Sequence, residues 1–310
     1  MTLLLMRHGK SDWSGDAPDL DRPVSDRGKR DAQRVGHYLG REELVPELVV
    51  TSPAKRARET AEKCIKAAGG TVERIVQDKR LYEAAPYALD AVIEDYQDRA
   101  ARVMFVGHNP GFDSLLASLV DDSLPYDKRG KLMTTASLAV IEGRQLARFV
   151  RPKSLPEKFE FERDGRPVAW DRPPYYYNQS GVLPFRIRQG QLEVLLISKS
   201  GKGKWGIPKG IVEPGMTAAD SAAKECEEEA GVLGVVGTSP LDAFEARKWG
   251  GVTRVQVFPL EVTDVFEDWE EAHKRDRRWF AAAEAQAALR QKAVRPMIDG
   301  LLARYMKVLE

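Results

Sequence analysis

Cysteine is almost absent from this 310-residue chain, which has only Cys64 and Cys226. Both fall on the apolar side of a helical pattern. They read as small buried thiols in a reducing cytoplasm, with no disulfide framework or zinc cluster to organise the fold. An excess of either charge is also lacking: 48 Lys and Arg against 47 Asp and Glu give a net charge of +1. That balance speaks against a dedicated nucleic-acid or acidic-membrane binder. No apolar run approaches the length needed to span a bilayer. The opening MTLLLM is cut at once by Arg7 and His8, too short for the core of a signal peptide. What remains is a mixed-charge globular composition, 43% hydrophobic and 31% charged, long enough for two domains each with its own core.

Residues 1–152 alternate short apolar runs with helical patterns. TLLLM, ELVVTS, RVMFVG and SLAVIEG read as strands; RDAQRVGHYLG, SPAKRARETAEKCIKAAGG and the stretch after Asn109 read as helices. Such alternation implies a mainly parallel sheet covered on both faces, a three-layer α/β/α domain. In the first helix Ala32, Val35 and Leu39 make the apolar stripe, which puts His37 on the solvent side. Residues 153–177, rich in proline, charge and tyrosine and without clear periodicity, read as an inter-domain connector. From 178 to 310 the texture is α+β: GVLPFRI and LEVLLIS flank RQGQ as a hairpin, a glycine-rich turn leads into a helix, and TRVQVFPLEVT is a further strand.

Three strand ends in the first half carry polar groups. They are Arg7-His8-Gly9, Thr51-Ser52-Pro53 and Gly107-His108-Asn109. Ser52 can cap and Pro53 can start a helix whose first turn bears Arg56. Open α/β sheets bind ligands at such ends, beside helix N-termini that favour anions. LLLMRHGKSDW, DRPVSDRG, TSPAKRARET, LYEAAP and VGHNPG, in that order, resemble the histidine phosphatase (phosphoglycerate mutase-like) superfamily, and within it the small SixA-like phosphohistidine phosphatases. The resemblance implies phosphoryl transfer to His8, with Arg7, Arg56 and His108 binding the phosphoryl oxygens and no metal needed. Glu83 matches a family position that donates a proton to the leaving oxygen; the bare residue is equally a surface carboxylate. Arg22 is either a further phosphate contact or half of a loop salt bridge.

In the second half, KECEEEAG crowds Glu225, Glu227, Glu228 and Glu229 into one helix bounded by Thr217 as N-cap and Gly231 just past its end. Glu225, Glu228 and Glu229 stand at i, i+3 and i+4 and share a face, while Glu227 points into solvent. Like charges so placed repel, and a divalent cation among them turns the cost into binding. GIVEPGMTAADSAAKECEEEAGV resembles the signature of the Nudix (MutT-like) hydrolases, a mixed sheet sandwiched by helices. The resemblance implies Mg2+ or Mn2+ held by Glu225, Glu228, Glu229 and the Gly210 carbonyl, with Glu225 as base or water-orienting group. Met216 and Lys224 depart from the signature glutamate and arginine, a pair that bond to each other in the family.

QSGVLPFR, WGIPKG and EDWEEAHKRDRRWF resemble the diadenosine and diphosphoinositol polyphosphate hydrolase branch. Lys204, Lys209 and Arg186 are candidate substrate contacts; Lys199 and Lys202 read as solubilising charges, and Trp205 and Trp279 as core. The expected protein is a bifunctional phosphohydrolase of small-molecule polyphosphates: (di)nucleoside polyphosphates or oxidised nucleotides. Three alternatives stand beside it: a diphosphoinositol polyphosphate phosphatase, a protein phosphohistidine phosphatase with an accessory Nudix half, and a ligand-sensing Nudix module.

Overall fold

Leu3 and Leu5 in β1 (Thr2–Arg7) face one side of a sheet and Leu4 and Met6 the other, and each pair meets its own helical layer. The computed structural model describes residues 2–84 and 86–305. Its contacts divide the chain into one unit ending at Pro173 and another starting at Pro174.

In the first unit, α1 (Asp26–Arg41) and α2 (Lys55–Ala67) cover the Leu4 face, and α3 (Pro86–Tyr96) and α4 (Gly111–Leu119) the Leu3 face. The strands β2 (Leu48–Thr51), β3 (Ile75–Gln77), β4 (Arg102–Gly107), β5 (Leu138–Glu142) and β6 (Gln145–Val150) complete a sheet of order β3-β2-β4-β1-β5-β6. The first four in that order are parallel, and β5 and β6 antiparallel. The three-layer expectation holds, with α3, β3 and β6 as elements the apolar pattern had not resolved.

The segment read as a connector contains a hairpin, β7 (Phe159–Arg163) and β8 (Arg166–Trp170). It lies on the polar face of α1, where Arg34 Nε donates to the Pro156 carbonyl (2.8 Å) and Arg41 pairs with Glu160 (3.2 Å). His37 is therefore not a solvated residue. Its Nε2 donates to the Glu160 carbonyl at 2.9 Å, and its ring meets Phe159 edge-on at 5.4 Å. The apolar stripe located the inner face of α1; the outer face is covered by chain more than a hundred residues away.

The second unit is a seven-stranded sheet. Its strands are β9 (Asn178–Arg188), β10 (Gln191–Lys199), β11 (Lys209–Ile211), β12 (Val232–Val236), β13 (Asp242–Lys248), β14 (Gly251–Val265) and β15 (Arg275–Ala281). The main path is β12-β14-β9-β10-β15, with β11 on β9 and β13 on β14; only the β14–β9 pair is parallel. Val182, Leu195 and Ile197 pack on α5 (Ala218–Ala230), and Leu183, Phe185 and Leu196 on α6 (Ala282–Ala288) and α7 (Arg295–Tyr305). The β9–β10 turn places Gln189 and Gly190 at φ 52° and 74°, the left-handed pair that a two-residue hairpin requires. Cys64 and Cys226 are free and buried, and burial pushes both thiols up. No helix among the described residues is long and apolar enough to cross a membrane.

Candidate active sites

Neighbouring parallel strands β2, β4 and β1 end at the same edge, which brings Ser52, His108 and His8 together. The imidazoles of His8 and His108 lie 4.9 Å apart between centroids. His8 Nδ1 is 2.7 Å from the Gly9 carbonyl, an acceptor only, so Nδ1 carries the proton and Nε2 keeps its lone pair. Burial, reinforced by Arg56 and Arg7, lowers His8 to about 4, so the ring is neutral near pH 7. His108 falls to about 3 for the same reason, burial first, then His8 and Arg56. Ser52 Oγ contacts His108 Nε2 at 2.8 Å, whereas His108 Nδ1 and Arg7 Nε are buried without a hydrogen-bond partner.

The loop is pinned from α2. Thr60 Oγ1 accepts the Gly9 amide (2.8 Å) and donates to the Arg56 carbonyl (2.6 Å). A Cβ on Gly9 would fall 2.8 Å from the Gly28 carbonyl oxygen, so the turn after His8 has no space for a side chain. Arg7 donates to the Met133 carbonyl at 2.8 Å. Arg56 is held by Asp19, to which Arg22 (2.7 Å) and the Tyr82 hydroxyl (2.9 Å) also bind. Arg22 makes the loop salt bridge here, and its guanidinium stacks 3.6 Å over Trp13. Tyr82 meets His108 edge-on at 5.7 Å. Its phenol is held above the usual range by donating to Asp19, then by burial and the charges of Asp19 and Glu83. Glu83 itself is exposed, at φ 50°, a strained backbone for a non-glycine residue. The structure thus brings Arg7, His8, Arg56 and His108 together and leaves Glu83 at the rim. Asp19, Thr60 and Tyr82 are members that sequence reasoning gave no role here. Ser52, expected as a helix cap, contacts His108, while Ala54 takes the N-cap position of α2 without a side-chain cap. Asp19 precedes the DRPVS motif without belonging to it.

In the second unit α5 is capped as its sequence indicates. Thr217 Oγ1 accepts the Asp220 amide at 3.1 Å, and Gly231 closes the helix at φ 62°. The Glu225 carboxylate packs on Gly210, where a Cβ would lie 1.8 Å from Oε1. Burial first, then the charges of Glu229 and Glu228, raise Glu225 to about 7. Glu229, also raised by burial, accepts the Lys209 amide at 3.0 Å and ion-pairs with Arg275, which pairs with Glu271 as well (2.8 Å). Glu228 pairs with Lys224 at 3.4 Å.

Among the described residues no three His, Cys, Asp or Glu side chains close around a point that an ion would occupy. Glu229 and Glu228 are instead ion-paired, with Arg275 and Lys224 respectively. The donor set still fits a hard divalent cation: three carboxylates and a carbonyl, one carboxylate destabilised as an anion, on a glycine that leaves it space.

Beside α5 a cleft of about 530 Å³ is lined by Lys199, Lys202, Lys204, Lys209 and Lys248, with Arg275, Arg290 and a single carboxylate, Glu229. Lys199 and Lys202 therefore belong to a basic cleft, against the solubility reading. Lys248, at the end of β13, has no local signal tying it to the signature helix. Arg186 does not line the cleft. It is engaged by Glu193 at 2.6 Å and stacks 4.0 Å from the Trp279 ring. Trp279 packs on the α5 side of the core as expected, while Trp205 packs on Phe280 and also lines the cleft.

Residues 178–301 match the NUDIX domain family. Nudix hydrolase 12, mitochondrial, of Arabidopsis thaliana is 30% identical over 152 residues, 42% of this chain and 73% of that protein. The chain belongs to the Nudix hydrolases. It carries a second hydrolase domain as well, since residues 3–99 match the histidine phosphatase superfamily (branch 1). Diphosphoinositol polyphosphate phosphohydrolase 2 of Rattus norvegicus is 38% identical over 113 residues, 36% of this Nudix chain and 61% of the rat protein. A solved structure of the protein histidine phosphatase SixA complexed with tungstate is similar at 20% identity and TM-score 0.44, covering 50% of this chain and 99% of that one.

Proposed function

We propose that this Nudix protein is a two-site phosphohydrolase: a cation-dependent pyrophosphatase of nucleoside or dinucleoside polyphosphates in its second unit, and a phosphoryl-transfer enzyme in its first. The observation that carries the proposal is the cleft beside α5, where seven basic side chains face one carboxylate. Such a surface suits a ligand carrying several phosphates.

Lys199, Lys202, Lys204, Lys209 and Lys248 bind and orient the polyphosphate. Glu225, Glu228, Glu229 and the Gly210 carbonyl would hold the divalent cation, which when bound neutralises diphosphate charge. Glu225 takes the proton of the attacking water. In the first unit His8 Nε2 attacks phosphorus, and Arg7, Arg56 and His108 bind the equatorial oxygens. The bond to the leaving group breaks with its electron pair, Glu83 protonates that group, and water later cleaves the phosphohistidine. Joined in one chain, each site raises the local concentration of its product for the other. The substrate is a small molecule; neither a nucleic-acid nor a membrane surface enters the account.

The same cleft favours a second reading, a diphosphoinositol polyphosphate as substrate, because such a highly charged ring needs this density of cations. A panel of dinucleoside polyphosphates, nucleoside triphosphates and inositol pyrophosphates, assayed with magnesium and with chelator, separates the two. Preference for nucleotide substrates supports the first reading, preference for inositol substrates the second, and turnover of none overturns both.

A further inference from the structure

Asp19 stands outside every motif, yet it makes more contacts to the first site's cations than any other acid. Arg56 NH1 donates to its carbonyl at 2.5 Å and NH2 to its Oδ2 at 2.8 Å. The Tyr82 hydroxyl donates to the same Oδ2 at 2.9 Å, and Arg22 NH1 reaches Oδ1 at 2.7 Å. Two guanidinium groups and a phenol on one anion make the donor set that a phosphoryl group requires. The charge of Asp19 also acts on both His8 and His108.

The backbone around Asp19 is suited to release it. The single turn Asp19–Asp21 contains no buried residue, and the Asp19 side chain is 46% exposed. Arg56, by contrast, is buried on α2, and its helix is pinned to the His8 loop through Thr60. When two anions compete for Arg56, the turn is the part free to move. A carboxylate whose only task was to brace Arg56 would need to be the more firmly held of the two.

We propose that Asp19 is a specificity-determining residue of the first site, a resident anion that keeps Arg56, Arg22 and Tyr82 assembled and that an incoming phosphoryl group must displace. The proposal rests on the reading of Arg7, His8, Arg56 and His108 as a phosphoryl site. It follows that small oxyanions, which bring no other contacts, bind the first site weakly, and that ligands with additional contacts are favoured over them.

The test is tungstate binding to the full chain, read from the NMR signals of the His8 and His108 rings so that anion bound in the basic cleft of the second unit is not counted. Asp19→Asn and Asp19→Ser, on an exposed turn, are compared with the wild type and with Arg56→Ala, each checked for an unchanged melting curve. The expected result is tungstate binding about three- to tenfold tighter in both Asp19 variants, the scale of removing one half-exposed ion pair. Unchanged or weaker binding in both overturns the proposal and assigns Asp19 a bracing role. Wild-type tungstate affinity that survives Arg56→Ala overturns the phosphoryl-site reading itself, whatever the Asp19 variants do.

Discussion

The Glu225 carboxylate rests on the Cα of Gly210, so close that a Cβ there would lie 1.8 Å from its Oε1. The obstructed atom is the end of a flexible side chain, so Gly210→Ala is expected to turn Glu225 aside and leave the fold nearly unchanged. The melting midpoint should fall by only a few degrees, while magnesium-dependent turnover drops by about 10²-fold. Thermal denaturation beside steady-state kinetics checks this; a variant with wild-type turnover contradicts the role given to Glu225.

Arg275 bridges Glu229 and Glu271 and lines the basic cleft. Arg275→Gln removes a phosphate contact and at the same time frees Glu229. The expected result is a split: KM for a polyphosphate rises about tenfold, and magnesium affinity measured calorimetrically increases. Loss of both affinities would mean that Arg275 organises the acidic face instead of competing for it.

Burial holds His8 at about 4 and His108 at about 3, both below the ordinary imidazole value of about 6.5. Between those values the unfolded chain binds more protons than the folded one, so acid favours unfolding. The histidine pair's contribution is intact above pH 6.5 and is lost as pH falls toward 4 and then 3. Stability curves across that window should be flatter in His8→Gln than in the wild type, and NMR should find the His8 ring still neutral at pH 5. A ring that titrates near 6.5 contradicts the assigned burial and the tautomer argument with it.

Thr60 is the only acceptor shown for the Gly9 amide, and both are buried. Thr60→Val keeps the shape and strands that N–H, at a cost of about 1–3 kcal/mol in unfolding free energy. Thr60→Ser should restore most of it. Chemical denaturation of the three proteins decides; a neutral Thr60→Val would remove the hydroxyl from the account of how the His8 loop is held.

The strands β1, β2 and β4 and the helix α5 were legible because each encodes itself locally. TLLLM alternates faces, and Thr217 and Gly231 mark both ends of α5. Arg7, His8, Arg56 and His108 could be grouped because parallel strands end at one edge. Contacts across long sequence distances were not legible. Glu160 turning His37 inward, Asp19 crossing to Arg56, and Lys248 joining Lys199 at the cleft leave no periodic trace in the segments involved. The metal face shows the same limit in reverse. Helical spacing put three carboxylates on one side, but it gave no sign that Arg275 from β15 and Lys224 on α5 itself pair with two of them.

The central claim is that two chemically independent phosphate sites act on one chain. The most direct test measures phosphate release by wild type, His8→Ala and Glu228→Gln, each in excess magnesium and in excess chelator. His8→Ala is expected to lose the chelator-resistant activity alone and Glu228→Gln the magnesium-dependent activity alone. Full activity of both variants under both conditions, or loss of both activities from either single substitution in a folded protein, would contradict it.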